Sequence, residues 1–268
     1  MKKNLFLKQQ LLCVLSLLII NFSFAQDKSL YQKQWFIQGG DTLPYRILFP
    51  KNYDTSKKYP VVFFLHGRGE SGNDNQKQLT NGADLFLRDS IRERYPAIVV
   101  FPQCSAKSYW SNVNMIAYDS STAKRWFYFI PGGAPTAPMQ LLENFVGNVL
   151  ERFSVNRQQV YVGGLSMGGM GTYELVRRLP KTFAAAFAIC GGAHPATAPQ
   201  MKQTAWWIFH GLKDEVVPPE KSRIIADALI SAGAKAKVTF YPSANHNSWD
   251  LAFAEPGLMS WLFSQRMK

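Results

Sequence analysis

The fold is decided by one stretch of the chain, residues 160–169, which reads Val-Tyr-Val-Gly-Gly-Leu-Ser-Met-Gly-Gly. Its apolar start, Val160 to Val162, predicts a strand, and the spacing from Gly168 to Leu179 predicts an amphipathic helix. Between them lies a G-x-S-x-G pattern centred on Ser166. A strand that turns sharply into a helix at such a pattern exposes the serine hydroxyl at the carboxyl end of a sheet. The bare pattern arises by chance in about one chain of this length in ten, so the flanking strand and helix are the stronger signal.

Apolar runs on both sides of this stretch predict the rest of a sheet. Continuously apolar runs are typical of strands buried on both faces, as in a parallel sheet covered by helices. The predicted strands are an antiparallel pair, Lys33 to Phe36 and Leu43 to Phe49, and then Tyr59 to Leu65, Ala97 to Phe101, Val160 to Val162, Ala184 to Ile189, Trp206 to Phe209 and Val238 to Tyr241. The predicted helices are Asn81 to Arg94, Met139 to Phe153, Gly168 to Leu179 and Glu220 to Ala232. Their alternation predicts one doubly wound α/β domain rather than two domains.

A serine hydroxyl becomes a good nucleophile only when a base takes its proton and an acid orients that base. Asp214 lies in the loop after the strand Trp206 to Phe209, and His246 lies in the loop after the final strand. Ser166, Asp214 and His246 are therefore the predicted catalytic residues, in that order along the chain. The neighbouring Glu215 is expected to face solvent.

The other histidines have different expected roles. His194 and His210 are expected to be structural, because few histidines in any enzyme titrate usefully. His66 ends the third predicted strand and begins the sequence His-Gly-Arg-Gly-Glu. A tetrahedral intermediate needs two N–H donors, one after the nucleophile and one from this early loop, so the backbones of Met167 and Arg68 are the predicted oxyanion hole. The Arg68 guanidinium either meets an acidic substrate group or lies on the surface.

Residues 104–138 form the longest connection, and the sequence predicts no strand or helix in it before Pro138. It is rich in aromatic residues, which is unlike disorder, so we expect it to pack over the sheet. Aromatic side chains could line a substrate cleft there or cover an edge of the core. Trp110 and Trp126 in this segment, and Trp249 near His246, are the candidate substrate-binding residues.

The amino-terminal 25 residues predict a secretory signal peptide. Three lysines precede an apolar stretch from Leu11 to Ile20, and Ser23-Phe24-Ala25 resembles a cleavage site. The alternative is a retained membrane anchor, but about ten apolar residues fall short of the ~20 that cross a bilayer. We therefore expect cleavage after Ala25, a secreted or periplasmic protein made of residues 26–268, and no stable membrane insertion afterwards.

Composition excludes several classes of protein. The chain has 268 residues, 47% hydrophobic and 18% charged, which is unlike a disordered chain, a collagen or a disulfide-stapled mini-protein. Its net charge of +12 becomes +9 without the three lysines of the signal, and the basic residues form no long runs. No nucleic-acid-binding module is recognisable, so a nucleic-acid partner is not expected.

Several motifs together resemble the α/β-hydrolase superfamily. These are His66-Gly67-x-Gly69, Phe101-Pro102-Gln103-Cys104, Gly164-x-Ser166-Met167-Gly168-Gly169, His210-Gly211 with Asp214, and His246-Asn247 with Trp249-Asp250. The nearest group comprises secreted esterases related to polyhydroxybutyrate depolymerases and to feruloyl and acetylxylan esterases, often labelled predicted peptidases. The resemblance spans about residues 40–262. It implies an eight-stranded sheet and a serine esterase without metal or organic cofactor, with Ser166 as nucleophile, His246 as base and Asp214 as its partner.

The strand order usual for that fold also bears on the cysteines. Cys104 and Cys190 would end strands that are three spacings, ~14 Å, apart, which is too far for a disulfide. We therefore expect two unpaired thiols.

The sequence thus predicts a secreted serine carboxylester hydrolase acting through an acyl-enzyme on Ser166. The expected substrates are feruloyl or acetyl esters on plant polysaccharide. Two alternatives remain open: a serine peptidase of the same fold, and a non-catalytic carbohydrate-binding protein on a hydrolase scaffold. The long aromatic segment leaves the substrate undetermined, and the sequence does not give the oligomeric state.

Overall fold

The computed structural model describes residues 27–116 and 126–267, with the backbone alone for residues 115, 116 and 126. Its strands are β1 (Gln32–Gln38), β2 (Asp41–Leu48), β3 (Tyr59–Leu65), β4 (Ile98–Pro102), β5 (Val113–Ile116), β6 (Trp126–Phe129), β7 (Val155–Leu165), β8 (Ala185–Ile189), β9 (Ala205–Gly211) and β10 (Ala236–Tyr241). Its α-helices are α1 (Ala83–Leu87), α2 (Asp89–Arg94), α3 (Ala137–Arg152), α4 (Met167–Arg178), α5 (Glu220–Ser231), α6 (Trp249–Ala254) and α7 (Leu258–Ser264).

Eight of the strands form one sheet in the order β1-β2-β4-β3-β7-β8-β9-β10. The pairs β1-β2 and β2-β4 are antiparallel, and the remaining pairs are parallel. The prediction of a mostly parallel eight-stranded α/β sheet is confirmed. Its parallel strands end at one edge, so the loops after β3, β7, β9 and β10 meet there.

Helices cover both faces of the sheet, and successive side chains of each strand point to opposite faces. Along β3, Val61, Phe63 and Leu65 belong to one core cluster, which contains apolar residues of α3, α4 and α5. Val62 and Phe64 belong to the other cluster, which contains apolar residues of α1, α6 and α7. This two-sided burial explains why the strands are continuously apolar in the sequence.

Two predicted features differ from the structure. The helix expected from Asn81 to Arg94 is interrupted at Arg88, whose backbone has a non-helical ψ of 127°, so α1 and α2 are separate. Three consecutive residues, Leu85, Phe86 and Leu87, are buried, which a single one-sided helical stripe does not allow.

The aromatic segment 104–138 is also more regular than expected. β5 and β6 pair as an antiparallel hairpin, and residues 117–125 between them lie outside the described residues. Phe127 and Phe129 of β6 pack against Met170 of α4 and against Val217. The hairpin therefore lies beside the loops that follow β7 and β9.

Three further expectations concern the signal peptide, membrane insertion and the cysteines. The expected signal peptide, residues 1–25, lies outside the described residues. Within residues 27–116 and 126–267, no helix is long and apolar enough to cross a bilayer. Cys104 and Cys190 are both buried and unpaired, as the strand-order argument predicts.

Gly163 of β7 provides a test of how closely the sheet is packed. It pairs with Phe64 on one side and Phe187 on the other, and a Cβ at this position would overlap the Phe187 ring. Phe187 is fully buried, so a shift of its ring would disturb the packing of the core around it. We expect Gly163→Ala to lower the free energy of unfolding by about 1–3 kcal/mol, measured by urea denaturation.

The matched control is Gly147→Ala, at an exposed position of α3 where a Cβ would meet nothing within 4 Å. It should raise the free energy of unfolding by up to about 1 kcal/mol, because alanine favours a helix more than glycine does. A Gly163→Ala protein as stable as the wild type would contradict this account of the packing.

Candidate active site

Ser166 lies at the sharp turn between β7 and α4. Its backbone has φ 53° and ψ −119°, a conformation that a residue with a side chain rarely adopts. Such strain costs on the order of 1–3 kcal/mol and persists only where the surroundings impose it. Here the Ser166 N–H donates to the Ile189 carbonyl oxygen at 2.8 Å, and α4 begins with the next residue.

Glycines allow the backbone of this turn to pack against β3. A Cβ at Gly168 would overlap the Leu65 carbonyl, and a Cβ at Gly164 would overlap the backbone of Gly168. A Cβ at Gly67 would lie 2.8 Å from Leu165 Cδ1 and 3.6 Å from Ser166 Cβ. The loop after β3 therefore lies directly against the serine, and a side chain at Gly67 would occupy the space next to it.

The three side chains predicted from the sequence meet at this edge of the sheet. His246 Nε2 lies 3.0 Å from Ser166 Oγ, and His246 Nδ1 lies 2.8 Å from Asp214 Oδ2. With the Nδ1 proton donated to the carboxylate, Nε2 is left to accept the serine proton. This is the arrangement in which an acid orients a base and the base activates a hydroxyl. The rings of Trp249 and His246 are in T-shaped contact, with centroids 5.5 Å apart.

Asp214 is buried, and its carboxylate is fully hydrogen bonded. Oδ1 accepts the N–H groups of Val216 and Val217 at 2.8 and 2.9 Å. Oδ2 accepts from His246 and lies 3.1 Å from His210 Nε2. Burial alone would raise the pKa of this carboxyl, but the hydrogen bonds from His210, His246 and Val217 outweigh it and hold the pKa well below its usual value. Asp214 is therefore ionised at neutral pH.

Backbone contacts fix the acid loop to the histidine loop. Lys213 N–H donates to the Ala244 carbonyl at 2.9 Å, and a Cβ at Gly211 would overlap the carbonyl oxygens of Ala244 and Asn245. The Asn245 side-chain oxygen accepts from the N–H groups of Glu215 and His246, at 3.2 and 2.7 Å. Asp214 and His246, 32 residues apart in sequence, are thus held in register by their own loops.

The predicted oxyanion donors lie at the starts of two helical turns. Met167 is the first residue of α4, and Arg68 is the first residue of a short 3₁₀ turn, Arg68–Glu70. Within the described part of the chain, neither N–H has an acceptor. The Arg68 guanidinium donates to the carbonyl oxygens of Ala106 and Ser108, at 2.6 and 2.7 Å, and stacks over Tyr109. The side chain therefore fastens the loop after β3 to the start of the aromatic segment.

His66 supports this loop from below. Its Nε2 accepts the Cys104 N–H at 2.9 Å, so Nδ1 carries the ring proton and donates to the Gly67 carbonyl at 2.6 Å. Burial lowers the pKa of His66 to about 4, so the ring is neutral at physiological pH. A neutral ring with one donor and one acceptor ties the Gly67–Arg68 backbone to the end of β4.

Sequence comparison identifies the family of this chain. The sequence pattern of the phospholipase/carboxylesterase family matches residues 53–255, more than half of the chain. The chain belongs to this family. The resemblance to α/β-hydrolases inferred from its motifs is therefore confirmed.

Three similar proteins are informative. A probable feruloyl esterase C from Aspergillus oryzae is 24% identical over 174 residues, covering 65% of this chain and 56% of that relative. A poly(3-hydroxybutyrate) depolymerase from Ralstonia pickettii is 29% identical over 167 residues, covering 60% of this chain and 31% of that enzyme. The crystal structure of a thermostable esterase is 30% identical, with a TM-score of 0.77, over 88% of this chain and 63% of that one. Each match spans less than two thirds of the relative.

The three tryptophans predicted to bind substrate lie in different environments. Trp110 is fully buried, so the prediction that it binds substrate is wrong. Its indole fills the groove in α4 left by Gly171 and stacks edge-on to His66, with centroids 5.5 Å apart. Trp126 lies in β6, but its side chain is outside the described residues. Trp249 is half-buried against His246, where it supports the ring.

Three other polar residues near the site had expected roles outside catalysis. Glu215 is exposed, as expected, and His194 caps a short 3₁₀ turn at Pro195–Met201. His210, expected to be structural, contacts Asp214 directly. The sequence contained one signal for this contact, since His210 lies at the end of β9 and Asp214 follows it by only four residues, in the loop after that strand.

Metal binding has one candidate among the residues described. The ligand atoms of Cys190, Asp214 and His246 lie within 4.8 Å of one another. However, Asp214 and His246 are hydrogen bonded to each other, and burial, together with the Asp214 charge, raises the pKa of the Cys190 thiol. A metal requires the thiolate, so the donor set fits an acid–base pair beside a protonated thiol better than a metal site.

The buried neutral state of His66 predicts a pH-dependent stability. Its pKa is about 4 in the folded protein against 6.5 for the free side chain, so the unfolded chain binds the proton first. The contribution of neutral His66 to the free energy of unfolding is therefore fully present above pH 6.5 and is lost as the pH falls towards 4. The expected loss from His66 is about 3 kcal/mol, measured by urea unfolding across this range.

Two variants isolate this contribution. His66→Gln has no ring to protonate, so its free energy of unfolding should change less with pH over the same window. His194→Gln, at a half-exposed position, should keep the wild-type dependence. Equal pH dependence in His66→Gln and the wild type would disprove the role of His66.

Proposed function

We propose that this chain is a secreted serine carboxylester hydrolase that works through an acyl-enzyme on Ser166. The observation that carries the proposal is the continuous chain of hydrogen bonds from Ser166 Oγ through His246 to Asp214, at 3.0 and 2.8 Å. It lies beside two backbone N–H groups without acceptors among the described residues. Family membership supports the same chemistry.

Acylation begins when Ser166 Oγ attacks the ester carbonyl carbon and its proton passes to His246 Nε2. The carbonyl oxygen becomes an oxyanion, which in this mechanism accepts hydrogen bonds from the backbone N–H groups of Met167 and Arg68. The α4 helix adds the positive end of its dipole at the same point. The tetrahedral intermediate then collapses, the ester C–O bond breaks, and the proton on His246 passes to the departing alcohol.

Deacylation repeats these steps with water. His246 Nε2 takes a proton from a water molecule, whose oxygen attacks the acyl carbon. The second intermediate collapses, the bond to Ser166 Oγ breaks, and the serine regains its proton from His246. The products are a carboxylic acid and the free enzyme. Asp214, ionised throughout, stabilises the imidazolium that forms in each half-reaction.

Feruloyl or acetyl esters on plant polysaccharide are the proposed substrates. The name of the Aspergillus oryzae relative favours a feruloyl ester, and that of the Ralstonia pickettii relative extends the range to a polyester. The aromatic hairpin, which packs Phe127 and Phe129 beside the Asp214 loop, is consistent with a bulky extracellular substrate. The net charge of +9 that we expect for the exported chain gives a weak preference for polysaccharide that carries uronic acids.

Replacing the nucleophile tests the mechanism. We expect Ser166→Ala to lower kcat/KM for p-nitrophenyl acetate by at least about 10⁴-fold, because Ser166 supplies the one hydroxyl bonded to His246 among the residues that the structure describes. The matched control is Ser260→Ala, at an exposed position of α7, which should keep wild-type turnover. Full turnover by a folded Ser166→Ala protein would exclude the proposed acyl-enzyme and favour a non-catalytic binding role.

A substrate panel tests the proposed class of ester. The panel comprises methyl ferulate, acetylated xylan, p-nitrophenyl esters of increasing chain length and a peptide p-nitroanilide. We expect feruloyl or acetyl esters to give the highest kcat/KM and the anilide to give the lowest. Turnover of the peptide substrate without turnover of the esters would favour the peptidase alternative.

A further inference from the structure

His210 is a fully buried histidine that the acylation steps leave unused. It lies at the end of β9, and its Nε2 is 3.1 Å from Asp214 Oδ2 and 2.9 Å from the Val217 carbonyl oxygen. Both neighbours are acceptors only, since Asp214 is ionised. Nε2 therefore carries a proton and shares it between the carboxylate and the carbonyl.

The opposite nitrogen of the ring extends the network. Nδ1 is 2.7 Å from Ser222 Oγ, which is itself 2.9 Å from the Gly191 carbonyl oxygen. The single Ser222 proton points either to Nδ1, leaving the ring neutral, or to the carbonyl, in which case Nδ1 also donates and the ring is a cation. In both states Nε2 donates to Asp214, so the contact with the acid does not depend on the ring charge.

The far end of the network lies against the nucleophile's helix. A Cβ at Gly191 would lie 2.8 Å from the Gly169 carbonyl carbon and 2.9 Å from Met170 N, both in the first turn of α4. The hydrogen bonds of His210 thus connect the acid loop with the segment that packs on the helix starting after Ser166. This buried ring therefore links the loop after β9 to the segment after β8 that packs on α4.

We propose that His210 is a positioning residue that fixes the Asp214 carboxylate for its contact with His246. Oδ1 is fixed by two backbone N–H groups, and Oδ2 receives one hydrogen bond from each histidine. With the His210 bond in place, the remaining lone pair of Oδ2 points to His246 Nδ1. Without it, a buried lone pair of Oδ2 loses its donor, and the orientation of Oδ2 towards His246 is held less firmly. This inference rests on the proposed hydrolysis through Ser166.

Two amide variants separate the two nitrogens of the ring. His210→Gln carries its amide nitrogen where Nε2 lies, and so keeps a donor to Asp214. His210→Asn reaches only to the position of Nδ1, and so keeps the Ser222 contact but loses the donor to the acid. Both variants carry an amide on residue 210 and differ only in how far the amide reaches, so each is the control of the other.

The expected result is a loss of kcat that follows the Nε2 donor. His210→Asn should lower kcat for p-nitrophenyl acetate by about 10- to 100-fold with KM nearly unchanged, while His210→Gln stays within about threefold of the wild type. A role in folding alone predicts that the loss of activity in each variant follows its free energy of unfolding and not the position of its amide nitrogen. Equal kcat values in the two variants overturn the proposal.

A second readout separates failure of this inference from failure of the proposed function. A fluorophosphonate labels an activated serine whatever the natural ester is, and its rate should follow the order wild type, His210→Gln, His210→Asn. A wild-type protein that is not labelled overturns the proposed function. A labelled wild type with equal rates in both variants overturns only the role of His210.

The wild-type protein provides a test that requires no variant to fold. In a ¹⁵N-histidine NMR spectrum at neutral pH, His210 Nε2 should carry a proton that is protected from exchange, since it is buried and bonded to Asp214. A His210 ring protonated on Nδ1 alone would overturn the proposal.

Discussion

A carboxylate removed from water must either take up a proton or find a donor for each of its lone pairs. Asp214 does the second, with four donors from Val216, Val217, His210 and His246. The rest of the site depends on this because an ionised Asp214 keeps the proton of His246 on Nδ1 and leaves Nε2 free to act as a base. Two of the donors are backbone groups of the acid loop itself, one belongs to strand β9 and one to the loop after β10. The carboxylate therefore joins the acid loop to the strand before it and to the histidine loop.

The serine side of the site is fixed by close backbone contact rather than by charge. Ser166 holds a positive φ because Gly164 and Gly168 allow the turn to approach the end of β3 and because its N–H is bonded to Ile189. The approach that strains the serine also brings Gly67 beside it. The strained backbone of Ser166 and the placement of the proposed oxyanion donors therefore have one cause, the packing of α4 against β3.

Most of the sheet was predictable because a strand buried on both faces has to be apolar along its whole length, as Tyr59–Leu65 is. Ser166, Asp214 and His246 were predictable as neighbours because parallel strands end at one edge. The predictions that failed concern the environments of individual side chains. Trp110 reads as a surface aromatic in a long loop, and only its fit against Gly171 shows that it belongs to the core. His210 reads as the end of a strand, since the contact that gives it a role is made by a loop folding back over four residues.

The location of the aromatic segment links the proposed substrate specificity to the rate of the proposed reaction. The Arg68 backbone is a proposed oxyanion donor, while its side chain is bonded to Ala106 and Ser108 and stacked on Tyr109. The far end of the segment is also tied down, since Thr136 donates its hydroxyl proton to the Tyr109 carbonyl at 2.7 Å. A change in the hairpin that moved its base would therefore move an oxyanion donor as well. Because a displacement of about 1 Å at such a donor can cost on the order of 10²-fold in rate, a hairpin adapted to a new ester has to preserve the Arg68 anchor.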